Sequence, residues 1–149
     1  MDIYAVLNQT QRQRISDGAT LSVLTDCESA QKILVLIWPQ LGDFDSLEYA
    51  WWIVRDLDEL KSRNIAVRAV GIGNAASGKQ FCDFTGFPAD WLFIDPKSEL
   101  HQKLGLYQGL SLTVPGLSPG QNAWVNLLLM CAGIGSQGTL REVFRGYRG

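Results

Sequence analysis

The chain has 149 residues, of which 46% are hydrophobic and 19% are charged, and its formal net charge is -2. A chain of this length and apolar content can bury a hydrophobic core without disulfides or structural metals, which excludes an intrinsically disordered protein. The near-neutral charge gives no general attraction to nucleic acid, so we expect no nucleic-acid partner.

Cysteine usage and hydropathy indicate the kind of compartment. Cys27, Cys82 and Cys131 stand far apart, which disfavours a disulfide framework or a zinc site, so we expect a reducing compartment, no metal and no cofactor. The polar start of the chain has no signal-peptide core, and the apolar run Ala123–Ile134 is too short for a membrane span. We expect a cytoplasmic protein without a transmembrane span, with peripheral membrane association left open.

The N-terminal third of the chain predicts an arm and a buried strand. Residues 1–20 carry Gln and Arg and predict an N-terminal helix or arm, and residues 21–149 are assigned to a single domain. The short segment Leu21–Thr25 is β-prone. The continuous apolar run Ile33–Trp38 is typical of a strand buried on both faces.

Strands and helices then alternate along the chain. A helix over Ser46–Ser62 is predicted from its apolar spacing, with Asp45 or Ser46 as N-cap. The later predicted elements are a strand over Ile65–Ile72, a helix over Ser77–Thr85, a strand over Trp91–Ile94, a helix from Asp95–Pro96 to Leu104, a helix from Ser118 to Cys131 and a short basic helix from Thr139. This alternation predicts an α/β fold with at least three parallel strands.

The segment Gly73–Lys79 matches the GxxxxGK pattern of a phosphate-binding loop, directly after a strand. Glycines in this region, with Asp95 downstream, also imitate a dinucleotide fingerprint. However, Gln80 stands where such a loop needs a hydroxyl for magnesium. An ordinary turn between strand and helix is the simpler interpretation.

Each thiol and the single histidine has a structural interpretation beside a catalytic one. Cys82 lies early in its predicted helix, where the macrodipole can lower a thiol pKa, but its aromatic neighbours favour burial. Acidic neighbours of Cys27 would raise its pKa, and Cys131 lies in the most apolar helix. His101 has no nucleophile or orienting acid arranged around it in sequence, so we expect a solvated helix histidine.

From Lys32 to Gly109 the order of elements resembles the peroxiredoxin-like AhpC/TSA group of the thioredoxin superfamily. The resemblance rests on the strands ILVLIW and VRAVGIG, the helix ends LDELKSRNI and QFCDFTGFP, and the segment WLFIDPKSELHQKLGLYQG. Residues 115–149 resemble an extension found in cyanobacterial and chloroplast members. The resemblance implies a thioredoxin-like fold, a mostly parallel central sheet flanked by helices, and a helical C-terminal extension.

In that superfamily the catalytic cysteine or CxxC pair follows the first core strand, where a helix N-terminus stabilises the thiolate. The resemblance places the two cysteine slots at Gly42 and Asp45. We call the segment Gly42, Asp43, Phe44 and Asp45 the site loop. Because it lacks the active-site CxxC, thiol chemistry is predicted to be lost here. We expect this loop to hold no ion or cofactor.

Three function hypotheses remain open. The first is a thioredoxin-like binding or accessory module, which a phototroph source would place in the chloroplast stroma or at the thylakoid surface, in a photosynthetic membrane complex. The second is an AhpC/TSA-type antioxidant thiol peroxidase that uses the displaced Cys82. The third is nucleotide binding through Gly73–Lys79.

The predicted strand Ile33–Trp38 lacks a neighbour on one side. After Val114 the sequence shows no pair of strand-like runs, so the usual C-terminal hairpin is missing and the chain is either a fragment or an atypical member. An unpaired apolar edge invites pairing with another chain. We expect the N-terminal arm, a second copy or a protein partner to cover this edge, with the partner-binding residues Ile33, Val35, Ile37, Trp51 and Trp52.

Overall fold

The computed structural model describes residues 1–106 and 112–131. Contacts group residues 1–106 into one unit and residues 107–149 into a second, whereas the sequence analysis predicts one domain over residues 21–149 with a helical extension. The sheet and the candidate site belong to the first unit.

The first unit is an α/β structure in which α-helices flank a sheet of five strands. Its strands are β1 Gln11–Arg14, β2 Thr20–Ser22, β3 Lys32–Trp38, β4 Ile65–Gly71 and β5 Leu92–Ile94. Its α-helices are α1 Ile3–Gln9, α2 Phe44–Arg55, α3 Leu57–Ser62, α4 Ala75–Thr85 and α5 Glu99–Lys103. A 3₁₀ turn over Ala89–Trp91 leads into β5.

The five strands form one mixed sheet in the order β2-β1-β5-β4-β3. Strand β4 pairs in parallel with both β3 and β5, which confirms the three predicted parallel strands. Strand β1 pairs antiparallel with β5 and with β2. Strand β3 is therefore an edge strand among the described residues.

The N-terminal residues do more than form the predicted helix or arm. Helix α1 is followed by β1, which enters the sheet between β5 and β2. The sequence QRQR of β1 has no apolar alternation, so periodicity did not predict a strand there. Because β1 lies on the far side of the sheet from β3, the expectation that the N-terminal arm covers the β3 edge is wrong.

The long helix predicted over Ser46–Ser62 is two helices. It begins earlier, at Phe44, and breaks at Asp56 between α2 and α3. Arg55 Nε donates to Asp56 Oδ1 at 2.9 Å, directly at the break. Helix α4 ends as predicted at Gly86, which adopts the left-handed conformation with φ of +75°.

Two apolar clusters cover the two faces of the sheet, because successive residues of a strand point to opposite faces. One cluster, under α2 and α4, includes Trp38, Phe81 and Phe87, with both phenylalanine rings 5.3 Å from the Trp38 ring. The other includes Val70 and Phe93, together with residues of α1 and α5. Ile33, Val35 and Ile37 of β3 pack partly buried against this second cluster.

In the second unit the predicted helix start at Ser118–Pro119 is confirmed: α6 spans Pro119–Cys131. Ser118 N donates to Gln121 Oε1, and Gln121 N donates to Ser118 Oγ, which is a reciprocal cap. The helix predicted from Thr139 and the side chain of Cys131 lie outside the described part of the chain. None of the described helices is long and apolar enough to cross a membrane.

Candidate functional site

The candidate site lies where the three parallel strands end together. Trp38, Gly71 and Ile94 are aligned across β3, β4 and β5, so the segments that follow these strands leave the same edge of the sheet. In open α/β sheets ligands bind outside the carboxyl ends of the strands. The site loop follows β3 at this edge.

The site loop is closed by its own hydrogen bonds. Asp43 Oδ1 accepts a hydrogen bond from Ser46 N at 2.8 Å, and the Ser46 hydroxyl accepts one from Gly42 N at 3.0 Å. Ser46 is completely buried. Gly42 has a φ of +92°, a conformation that glycine adopts without strain.

The N-cap of α2 is Asp43, so the prediction of Asp45 or Ser46 as the cap is wrong by two or three residues. The underlying expectation, that a side chain satisfies the helix start, is confirmed by the Asp43–Ser46 bond. Phe44 and Asp45 therefore belong to the first turn of α2, where Phe44 is 92% exposed.

The charges at this helix start are unlike those of a thiolate site. A helix N-terminus stabilises an anion, which is how it lowers the pKa of a catalytic cysteine. Here Asp43 and Asp45 already place two carboxylates in that position. Gly42, the position predicted for the first cysteine slot, has no side chain.

Leu41 holds the site loop against the sheet. A Cβ atom added to Gly71 would overlap the Leu41 side chain, so this side chain lies directly over the β4 backbone. The glycine at the end of β4 is thus explained by packing of the loop.

A groove of about 590 Å³ opens beside the site loop, between α2 and α4. It is lined by Leu41, Gly42, Leu47, Ser77, Gln80, Phe81, Asp83 and Phe84. These residues supply apolar walls and a few polar groups, but neither a thiol nor a cation. The apolar walls of the groove suit an apolar side chain.

Cys82 is buried in α4, and burial together with the nearby Asp83 carboxylate raises its pKa to about 11. Because α4 begins at Ala75, Cys82 is the eighth residue of the helix, and the expectation that it lies early in the helix is wrong. The macrodipole acts within the first turn and does not reach it.

Cys27 is also buried, and its Sγ lies 3.7 Å from the Thr25 carbonyl oxygen. Burial raises its pKa, against the opposing effect of the Arg68 guanidinium. Neither of these two cysteines is an exposed thiol with a depressed pKa, and they do not form a CxxC pair.

The phosphate-loop pattern at Gly73–Lys79 forms a helix rather than a loop. Helix α4 begins at Ala75 with a capping box in which Asn74 and Ser77 bond each other's main-chain amides. A Cβ on Gly78 would overlap Ile15, so Gly78 allows α4 to pack on the sheet. The capping box uses the amides of Asn74 and Ser77, so these two are not free to bind phosphate, and nucleotide binding through Gly73–Lys79 stays an untested hypothesis.

Sequence reasoning missed a buried polar cluster at the same sheet edge. Arg12 Nε lies 3.0 Å from Asp95 Oδ1, and both side chains are largely buried. Asp95 Oδ2 accepts from Leu100 N at 2.7 Å, which ties the carboxylate to α5. The sequence signal for this cluster was weak, because Arg12 lies in a polar strand and Asp95 resembles an ordinary helix cap.

The expectation of a solvated His101 is wrong. Both of its ring nitrogens are buried and make no hydrogen bond within the described residues. Burial lowers the pKa of His101, while the Asp95 carboxylate and the adjacent main chain of Trp38 act in the opposite direction. A five-residue helix gave no sequence signal of this burial.

The tandem tryptophans lie on α2 with both rings about half exposed. Trp51 packs against Phe84 of α4 at 5.9 Å between ring centroids, and the Arg55 guanidinium lies 5.2 Å from the Trp52 ring. Phe44 and Tyr49 of the same helix are also exposed. Among the described residues no group of three or more histidine, cysteine or acidic side chains could hold a metal ion.

Comparison with known families adds a decisive observation. The sequence profile of the AhpC/TSA antioxidant enzyme family matches residues 52–147, more than half of the chain. The chain belongs to this family. The matched stretch of the AhpC/TSA domain begins after the site loop, so the match itself does not include the two cysteine slots.

The fold of this AhpC/TSA member is similar to that of a solved peroxiredoxin. The crystal structure of reduced Prx3 from Vibrio vulnificus in complex with hydrogen peroxide aligns with a TM-score of 0.56 and 17% identity. The alignment covers 73% of this chain and 68% of the other. The thioredoxin-like fold is thereby confirmed. A comparison with curated proteins finds no significant match.

Proposed function

We propose that this AhpC/TSA member is a thioredoxin-fold module that binds a protein partner and performs no thiol peroxidase chemistry. The observation that carries the proposal is the site loop. Gly42 and Asp45 occupy the two cysteine slots, and Asp43 caps the helix that would otherwise stabilise a thiolate. A glycine or a carboxylate cannot replace the attacking sulfur.

The two thiols that the structure describes, Cys27 and Cys82, support the same conclusion. The sequence has no cysteine between Cys27 and Cys82. Both are buried with raised pKa values, whereas the nucleophile in thiol chemistry is the thiolate and needs access. A peroxidase would have to expose Cys82 and lower its pKa by several units.

Two surfaces favour a protein partner. Strand β3 has β4 as its only neighbour among the described residues, which leaves main-chain groups able to pair with an added strand. Within this strand, Ile33, Val35 and Ile37 are only partly buried. The second surface includes Trp51 and Trp52, and exposed aromatic side chains are enriched at binding hot spots.

The partner class follows from the resemblance to cyanobacterial and chloroplast members. It favours a component of a photosynthetic membrane complex. Affinity purification from a phototroph extract tests this, with Trp51→Ala/Trp52→Ala as the matched variant. Recovery of such a component by the wild type, but not by the variant, supports the assignment. Equal recovery by both proteins would show that Trp51 and Trp52 do not form the partner-binding surface.

A peroxide-consumption assay with a thiol donor tests the absence of catalysis. We expect the rate with wild-type protein to equal that of Cys82→Ser and of the donor alone. Turnover that is abolished by Cys82→Ser would overturn the proposal and establish the displaced-cysteine peroxidase instead. Asp45→Cys is a useful third variant, because it places a thiol in the first turn of α2 at the second slot.

A further inference from the structure

Helix α6 has an exposed apolar face, and its two asparagine side chains, Asn122 and Asn126, face the segment that precedes the helix. Asn122 is buried and Asn126 is partly buried, whereas Trp124, Leu127 and Leu128 are exposed, with Trp124 at 66% and Leu128 at 64%. The spacing of the exposed residues places them on one side of the helix. An amphipathic helix of a water-soluble domain normally has the reverse arrangement.

The inward amides bind the segment that precedes the helix. We call residues 112–117 the strap. Asn126 Oδ1 accepts from Leu112 N and its Nδ2 donates to Leu112 O, both at 2.9 Å. Asn122 Oδ1 accepts from Val114 N at 2.7 Å, and its Nδ2 donates to Leu117 O at 3.2 Å. These bonds satisfy main-chain groups of the strap without water.

The hydrogen bonds between the strap and the two asparagines reduce the cost of moving this region into an apolar medium. A main-chain group without a partner is costly wherever water is excluded, so a segment that enters lipid must satisfy its groups internally. Helix α6 does so through its own ladder, and the strap is bonded by Asn122 and Asn126. The exposed face of α6 can therefore enter an apolar medium while these main-chain groups of the helix and the strap keep their hydrogen bonds.

The charge pattern of the sequence agrees with a lipid surface. Residues 107–140 contain no charged residue, and the nine residues that follow carry Arg141, Arg145 and Arg148 against one acid, Glu142. Residues 1–106, by contrast, carry fourteen acidic and ten basic residues. Basic residues next to an apolar segment favour anionic lipid headgroups.

The length of the apolar sequence decides between spanning the membrane and lying on it. The apolar run Ala123–Ile134 is shorter than the roughly 20 residues that a membrane-spanning helix needs. Tryptophan also prefers the interface between lipid and water. We propose that the face of Trp124, Leu127 and Leu128 docks in the plane of an anionic lipid surface. This inference is independent of the proposed function, since it uses none of the site residues.

Vesicle co-sedimentation of the purified full chain tests the proposal. We expect it to pellet with vesicles containing phosphatidylglycerol, more weakly with pure phosphatidylcholine, and less in high salt. Trp124→Gln/Leu128→Gln should lower the partition coefficient roughly tenfold or more, because two large apolar side chains stay in water. Ala123→Glu, a single change on the same exposed side, should also lower it.

Tyr4→Gln is the matched control, because Tyr4 is also an aromatic residue that is more than half exposed but lies on α1. It should pellet like the wild type. Absence of pelleting with both vesicle types would overturn the proposal, as would equal pelleting of the wild type and both α6 variants. Light scattering of the lipid-free protein adds a third outcome. A dimer that the α6 variants convert to a monomer would assign the face to a second copy instead.

Discussion

At the residue scale, the reactivity of the Cys82 thiol distinguishes the binding-module hypothesis from the peroxidase hypothesis. Because burial raises its pKa to about 11, almost none of it is thiolate at pH 8. We expect iodoacetamide to modify Cys82 in the native protein at least a hundredfold more slowly than in urea. Peptide mass spectrometry measures this rate separately for each cysteine.

The matched comparison is Asp45→Cys, whose new thiol would lie in the exposed first turn of α2. This thiol should react far faster than Cys82 in the same native sample. Fast native labelling of Cys82 would mean that α4 opens readily, and the displaced-cysteine peroxidase would gain support.

His101 should make stability depend on pH. Its pKa is lowered in the folded state by burial, so the folded protein binds fewer protons than the unfolded chain. The His101 contribution is therefore fully present above the unfolded pKa of about 6.5 and is lost as the pH falls through the lower, folded value. Urea unfolding between pH 7.5 and 5 should show a falling midpoint.

His101→Gln tests the assignment, because glutamine keeps polar atoms but does not titrate in this range. The variant should lose most of the fall in the midpoint between pH 7.5 and 5. If the wild type and His101→Gln show the same pH profile, burial does not hold the ring unprotonated in the folded protein.

At the element scale, α2 depends on one side-chain bond at its start. Asp43→Ala removes the acceptor of the Ser46 amide and should lower the free energy of unfolding by about 1 kcal/mol. Asp45→Ala is the control, because it removes a neighbouring carboxylate that makes no capping bond. It should cost only a few tenths of a kcal/mol. Chemical denaturation measures both, and equal losses would contradict the role of Asp43.

Element prediction succeeded where local pattern and tertiary packing agree. The apolar runs of β3 and β4 and the glycine stop of α4 were visible in the sequence, because burial and the left-handed turn each demand particular residue types. Strand β1 was not visible, because its polar residues are held by cross-strand pairing and by the Arg12–Asp95 ion pair. Gly78 was misleading because a glycine required for helix packing matches the pattern of a phosphate loop.

The site was predictable in part for the same reason. The place of the site loop after β3 depends only on the order of elements, whereas the assignment of the two cysteine slots to Gly42 and Asp45 rests on the resemblance and stays a prediction. Asp43 as the cap and His101 as a buried ring depend on how α2 and α5 sit against the sheet. That geometry comes from contacts between residues distant in sequence.

At the scale of the whole molecule, β3 combines two features that rarely occur together. It is strongly apolar, as is usual for a central strand, yet it lies at the sheet edge of the described residues. Its side chains are partly covered by the clusters on both faces. The main-chain groups that point away from β4 are the ones left for another strand, and such an edge promotes association.

Hydrogen exchange of the purified chain tests this arrangement without any mutation. Amides of Lys32–Trp38 that do not bond to β4 should exchange in dilute protein much faster than those of Ile65–Gly71, a central strand paired on both sides. Adding the partner, or raising the concentration if a second copy is the partner, should slow the β3 amides and leave β4 unchanged. If every β3 amide is as protected as β4 in a monodisperse monomer, the chain itself covers this edge, and pairing through β3 is excluded.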